Sequence, residues 1–466
     1  MKKEKPNFLQ IIRNFTQSQP FKLRFAFILM SVIVVLAFNA TSEWNFLESL
    51  YYDSDAVMEG DEVRITSEYL EEISLSNKTD VSCDLRSARS DFCEIKDFVQ
   101  IIGHSSILNY HSPCTNSFLQ AHKSFKLKPH PRKHDKIALA HVKEISIEPV
   151  SFNQTPPHCT VMHIAPAIVF STGGYTGNMF HDFTDVLIPL FITSFPFHGQ
   201  VHFLVGEMQP RWIKKYRPLL KQLTQYEIIN LNKVRRGLCY SHIIVGLQFH
   251  KEMSIEPKKT SNKYSMVDFA QIMRKSFGLE RENITMLGIH NGNKPRLLII
   301  SRKKTRSFTN VKEVIKMATN LGYQVLVQEP NSRSKLREFA RIVNSCDVLM
   351  GVHGAGLTNL VFLPANAVVI QIVPLGGLEK LSMEYFGIPA LDMNLKYLQY
   401  NISIEESTLT EKYPKDHVVF KDPSSIRSKG WAALRSTYLV NQNVKLDVTR
   451  FSYTLLEALK HLHHYQ

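Results

Sequence analysis

The segment Cys346-Asp347-Val348-Leu349-Met350-Gly351-Val352-His353-Gly354-Ala355-Gly356-Leu357-Thr358-Asn359 constrains the fold most, because an apolar strand-like run passes directly into a turn of small residues that opens a helix. A strand that feeds a helix so abruptly belongs to a parallel sheet covered by helices. Backbone N–H groups at a helix start carry partial positive charge, and glycine lets an anion approach them without Cβ interference. The turn is a candidate phosphate seat, and it is equally a device for packing a helix close to its strand.

The surrounding pattern extends that expectation. Strand-like runs at 161–164, 165–170, 201–205 and 226–230 alternate with helical segments, one of them 212–223. The segment 266–277 places Met266, Phe269, Ala270, Met273 and Phe277 on one helical face, a stripe read as core packing. After an Asn- and Gly-rich linker at 278–294, a second series begins at 297–301 and continues through 323–327, 348–350 and 368–373. Asn310, with Glu313 three residues on, reads as a capped helix start, and Gly322 as its close. The chain has 466 residues, more than one hydrophobic core sustains. The expected fold class is α/β, with two Rossmann-like lobes at 79–285 and 286–466 facing a cleft at the carboxyl ends of their strands.

The N-terminus reads differently. A basic tail, 1–24, precedes an uncharged apolar run, 25–42, near the short end of what spans a bilayer, and an acidic stretch follows, 43–78. Basic before and acidic after places the tail in the cytosol and the body in the lumen, with 25–42 as a signal-anchor and 43–78 as a stem. Asn77, Asn153, Asn283 and Asn401 stand in glycosylation sequons. Six cysteines allow 15 pairings in an oxidising lumen; Cys83 and Cys93 are placed to bond locally, and Cys346 reads as a buried thiol.

Candidate chemistry gathers at strand ends. Arg302 and Arg306 lie in the loop after the first strand of the second series, where guanidinium forks suit phosphate oxygens, although a basic turn is often only solvated. Together with Gly354, Ala355, Gly356, Leu357 and Thr358 they would make a two-sided anion clamp. His353 could donate to phosphate or sugar, or satisfy the backbone. In the first series His181 and Asp182 follow a glycine turn, where they could supply a general base or charge a helix start. No P-loop, no Gly-x-Ser-x-Gly elbow and no Cys/His cluster with zinc-ligand spacing is present, so no metal is expected. Nucleic acid is not an expected partner despite the net charge of +14, since no aromatic-interleaved basic platform accompanies it.

The ordered series Gly173 to Asp185, Arg302 to Arg306 with Asn310, Gly351 to Asn359, Gln371 to Gly377, Glu406 to Leu409 and Gly430-Trp431 resembles glycosyltransferase family 61 of plants. Phe170 to Gly174 and the Cys83 to Cys93 segment resemble most its xylan arabinosyl- and xylosyltransferases. The resemblance implies a single-pass type II Golgi membrane protein of GT-B fold that performs inverting transfer without a bound metal or other cofactor. It implies a UDP-pentose donor, arabinofuranose or xylose, and a xylan or xylo-oligosaccharide acceptor, with other wall glycosyltransferases as further partners. Asp182, assisted by His181, would be the base, and Arg302, Arg306 and the glycine turn would hold the departing UDP. The basic residues Lys123, Lys126, Lys128, Arg132, Lys133 and Lys136 could draw in glucuronate-bearing xylan. Two rivals remain: an N-glycan core β-1,2-xylosyltransferase, and an inert membrane-anchored binding subunit of a wall-synthesis complex. Asn394 stands where the family pattern has glycine, and Gln399-Tyr400 where it has Glu-Tyr, which bears on donor or acceptor choice.

Overall fold

The computed structural model describes residues 58–59, 61–65, 80–111, 123–150, 159, 161–235, 237–285, 293–329 and 335–464. The expected span at 25–42, Asn77 and Asn153 lie outside them. Among the described residues no helix is long and apolar enough to cross a membrane.

In the N-terminal lobe the strands are β1 (Glu62–Arg64), β2 (Asp80–Asp84), β3 (Phe92–Ile102), β4 (Ile107–His111), β5 (Phe125–Leu127), β6 (Ile145–Val150), β7 (Val161–His163), β8 (Ala167–Ser171), β9 (His202–Gly206), β10 (Ile229–Asn230) and β11 (Leu238–Val245). The parallel heart runs β10, β9, β8, β11 across the sheet, so the third, second, first and fourth strands of the series stand side by side. That is the Rossmann order, and its strands β8 and β9 are buried along their whole length, as a sheet covered on both faces demands. The same sheet continues on the far side of β11 through antiparallel β3, which the strand-helix pattern gave no sign of. The stem reading at 43–78 meets an exception here, since β1 pairs antiparallel with β7.

The second sheet is wholly parallel. Its strands are β12 (Arg296–Ile300), β13 (Gln324–Gln328), β14 (Val348–Val352), β15 (Val368–Val373) and β16 (Lys396–Asn401), in the order β13, β12, β14, β15, β16. The chain therefore steps outward once, from β12 to β13, and then returns past β12 to build in the other direction. Between β12 and β14 lies a topological switch point, where the loops leave in opposite directions and a crevice opens at the carboxyl edge. Helix α1 (Pro210–Leu223) and helix α2 (Met266–Phe277) cover the first sheet, and the expected stripe of α2 is buried from Met266 to Phe277. One apolar core runs from Phe183, Phe191 and Phe269 through Phe362 into β12, β14 and β15, so the two lobes are packed against each other rather than merely tethered.

Two local expectations change form. Asn310 does precede helix α3 (Val311–Asn320), but its side chain does not cap it: Oδ1 accepts from Leu446 N at 3.0 Å and Nδ2 donates to Leu446 O at 2.8 Å. A buried amide prefers two strong partners to one orphan N–H at a helix end. The glycine turn after β14 opens a 3-10 helix, Ala355–Phe362, rather than an α-helix. Asn394 has φ 58°, the left-handed conformation in which asparagine is the natural substitute for glycine. The disulfides are Cys83–Cys93, as expected, and Cys159–Cys239; Cys346 is a buried free thiol.

Candidate functional site

The switch point of the second sheet brings together two loops separated by almost fifty residues. Gly354 has φ 142°, and a Cβ placed on it would lie 2.6 Å from Arg306 Nη1 and 3.0 Å from Arg302 Nη1. Both guanidiniums therefore lie over the glycine turn. Arg306, itself at φ 53°, donates from Nη1 to His353 O at 2.7 Å, and Arg302 donates from Nε to Thr305 O at 2.9 Å. The first intrahelical bond of the 3-10 helix is Leu357 N to Gly354 O, which leaves the N–H groups of Ala355 and Gly356 as the orphan donors of the helix start.

The charge at this turn is unbalanced. Burial lowers the pKa of both arginines, and for Arg306 burial together with Arg302 and Arg435 brings it to about 9. Among the described residues neither arginine has a carboxylate within ion-pair distance. Arg435, on the π-helical turn Arg435–Val440, is a third cation of this cluster that sequence reasoning missed. His353 is buried, and burial with Arg306 and Arg302 pushes its pKa down to about 3. Its Nδ1 meets Gln371 Nε2 at 2.7 Å and Ser382 Oγ at 3.2 Å, while Tyr397 donates to Gln371 Oε1 at 2.9 Å. A neutral imidazole that accepts at Nδ1 carries its proton on Nε2. Leu357 and Thr358 are wholly buried, so they serve the turn through the backbone rather than by side-chain contact.

In the first lobe the turn after β8 is equally tight. A Cβ on Gly173 would meet His141 O at 2.1 Å, and Gly174, at φ 63°, packs on His130 Nε2 at 2.4 Å from where its Cβ would be. Asn178 then caps the helical segment, accepting from Phe180 N at 3.1 Å. Asp182 is completely buried, and its two oxygens accept from Gly177 N at 2.7 Å, Trp212 Nε1 at 3.0 Å, Lys215 Nζ at 2.9 Å and Tyr216 OH at 2.6 Å. Four donors occupy the lone pairs that a base would use, so the carboxylate braces the glycine turn against α1.

His181 stands differently. Its Nδ1 is 2.9 Å from Asp185 Oδ2, one helical turn on, and Arg132 Nε donates to the same oxygen at 2.7 Å. Burial works to raise the Asp185 carboxyl, but the hydrogen bond from His181 and the Arg132 guanidinium outweigh it and hold its pKa below the ordinary value. With Nδ1–H held by Asp185, the lone pair of His181 is on Nε2, and the ring stays partly exposed. Arg132, held at φ 86°, also faces Glu252, which pairs with Arg89 and accepts from Thr184 Oγ1 at 2.9 Å. The signal for Asp185 was present as an i, i+4 histidine-carboxylate pair; Arg132 and Glu252 come from distant loops.

One aromatic wall joins the two sides. Phe180 stacks on Tyr385 at 4.8 Å and meets Phe386 edge-on at 5.7 Å, and Phe386 lies 5.6 Å from the His353 ring. The neighbours Phe180 and His181 are thus tied to the turn that holds His353. Among the described residues three π-helical turns occur, Asp182–Leu187, Met383–Gly387 and Arg435–Val440, and each carries residues of this wall or its charge clusters. Such turns insert one residue to re-aim side chains, and they recur at functional sites. Asn283 and Asn401 are exposed.

The Glycosyltransferase 61 profile matches residues 179–370, from the start of the helical segment that bears His181 to the middle of β15. The alpha-1,3-arabinosyltransferase XAT2 of Oryza sativa subsp. japonica is 45% identical over 82% of this chain and 64% of its own length. The beta-1,2-xylosyltransferase XYXT1 of the same plant is 43% identical over 81% of this chain and 83% of its own length. The xylan glycosyltransferase MUCI21 of Arabidopsis thaliana is 33% identical over 85% and 83% respectively. This chain thus spans just under two thirds of the length of the arabinosyltransferase it resembles.

Proposed function

The chain belongs to the glycosyltransferase 61 family, and from that premise we propose that it moves a pentose from a UDP-sugar onto the xylan backbone. The observation that carries the reading is the pair Arg302 and Arg306 over the Gly354 turn, with Arg435 near enough to repel Arg306. Cations with no carboxylate in ion-pair contact call for an anion, and a diphosphate matches both their charge and the N–H groups of Ala355 and Gly356. In this GT-B-type arrangement the nucleotide sits in the C-terminal lobe and the acceptor against the N-terminal one.

The leaving UDP gains charge as the glycosidic bond to phosphate breaks, and the arginines meet that charge without a metal at this turn. His353, neutral and fixed by Gln371, offers an Nε2–H to the donor. The acceptor hydroxyl loses its proton to His181 Nε2, and Asp185 holds the ring in that tautomer and stabilises the imidazolium that forms. Attack from the lobe opposite the leaving group inverts the anomeric centre. Asp182 is reassigned from base to brace.

Residues 25–42 anchor the protein in the Golgi membrane in this account, with the body lumenal. The charge asymmetry about that run, the exposed sequon asparagines Asn283 and Asn401 and the two disulfides support it. The test is to incubate the purified full-length chain with labelled xylo-oligosaccharide and a panel of UDP-sugars, and to read products by mass, linkage and enzymatic digestion. One pentose added per acceptor residue, from UDP-arabinofuranose or UDP-xylose, is expected. Turnover of other UDP-sugars alone, or none, overturns the reading.

A further inference from the structure

At the amino edge of the N-terminal sheet, the edge opposite the glycine turn, three ligand-type side chains meet that no local motif announces. His202 begins β9, His163 ends β7, and Asp61 immediately precedes β1. Asp61 Oδ2 is 3.3 Å from His163 Nδ1 and 2.5 Å from His202 Nε2, and the donor atoms of the three residues all lie within 4.8 Å of one another. Glu62 Oε1 approaches His163 Nδ1 at 3.9 Å.

Both rings are held in place from the side. His202 stacks on Tyr226 with centroids 4.1 Å apart and planes 13° from parallel, and His163 stacks on Tyr240 at 4.8 Å. The imidazole edges therefore point at the carboxylate because packing aims them there, and not only because a hydrogen bond draws them. His202 Nδ1 is buried and makes no hydrogen bond, so what Nε2 meets decides which nitrogen carries the proton.

Two imidazole nitrogens and a carboxylate oxygen are the donor set of zinc and its first-row neighbours. Such an ion sits about 2.0–2.2 Å from each ligand, so its ligand atoms stand roughly 3.3 Å apart in a tetrahedral site. The His163 contact already has that spacing, the His202 contact reaches it by opening less than about 1 Å, and the two imidazole nitrogens, no more than 4.8 Å apart, reach it by closing at most about 1.5 Å. The three-residue β1 has few ladder bonds of its own to hold it against β7, and a metal bridging Asp61 to both histidines would supply that hold.

We propose that Asp61, His163 and His202 bind one divalent first-row ion of the zinc type, with Glu62 or water as fourth ligand. The site is structural: it fastens the entering segment to the amino edge of the N-terminal lobe, away from the reacting groups at the carboxyl edge. It stands independently of the transfer reaction proposed above.

The test strips the full-length chain with chelator, reloads it with Zn²⁺, desalts it and counts bound zinc by mass spectrometry. Co²⁺ is then used as a coloured substitute. About one ion per wild-type chain is expected, with a visible cobalt band of four-coordinate intensity and a higher melting temperature in zinc than in chelator. His202→Gln, His163→Gln and Asp61→Asn should each lose the ion, the band and the zinc-dependent rise. A control with His463→Gln and His464→Gln, which removes histidines near the chain end, should keep all three. Wild-type protein that holds no zinc overturns the site, as does zinc retained equally by all three ligand variants or lost in the chain-end control. Should one ligand variant not fold, the other two give the same reading.

Discussion

The charged clusters on the two sides of the aromatic wall are built on opposite principles. In the N-terminal cluster three cations each have a carboxylate: Arg132 has Asp185, Arg89 has Glu252, and Lys215 has Asp182. In the C-terminal lobe Arg302 and Arg306 lean on backbone carbonyls and on the Gly354 turn; burial depresses the pKa of both, and for Arg306 repulsion from Arg302 and Arg435 adds to it. A balanced cluster is complete without a ligand and serves to position groups; an unbalanced one is completed by an anion from outside. In the proposed reaction, this would separate the orienting of a base from the holding of a leaving group.

That contrast breaks first at His181. His181→Ala should lower kcat by roughly 10²–10⁴-fold, the range of general-base catalysis, with UDP affinity unchanged. Equal losses in kcat and UDP affinity would merge the two roles. Next is Asp182→Asn, which keeps the shape but leaves Lys215 and Tyr216 facing an amide; denaturant midpoints should report a loss of about 3 kcal/mol of stability. Unchanged stability with abolished turnover would restore Asp182 as the base.

A smaller effect belongs to His353, whose pKa falls from 6.5 to about 3 on folding. The unfolded chain takes up a proton below its own pKa of 6.5 while the folded one stays neutral, so this contribution to stability is whole above that value and is lost as pH falls toward 3. Between pH 7 and 5 the loss should be about 2 kcal/mol by linkage, and His353→Gln should flatten the slope by that amount in urea titrations at the two pH values. The smallest effect is at Asn394, where φ 58° suits glycine: Asn394→Gly should change stability by under about 0.5 kcal/mol and leave donor choice intact. A switched donor preference would make this position a specificity determinant.

Much of this architecture was legible where period and punctuation coincide. The runs of β8, β12, β14 and β15, the stripe of α2 and the glycine turn follow from local rules, and Arg302, Arg306 and Gly354 could be paired in advance because both loops end strands of one sheet. The mixed strands β2 to β6 were not legible, since short strands with irregular connections carry no sustained period. The surroundings of Asp182 were not legible for a related reason. Its sequence neighbourhood shows a helix start near a histidine, but Gly177, Trp212, Lys215 and Tyr216 reach it only through the tertiary fold. Arg435, Arg132 and the Asp61–His163–His202 group are likewise assembled across long separations, where spacing rules have nothing to count.

The claim on which the rest depends is that the Gly354 turn and its arginines hold the diphosphate of the donor. Isothermal calorimetry of UDP and of uridine against the wild-type chain and Arg306→Ala tests it directly. UDP should bind the wild type and weaken by a few kcal/mol in the variant, about 100-fold or more, while uridine binds both weakly and alike. Wild-type UDP affinity in Arg306→Ala would contradict it.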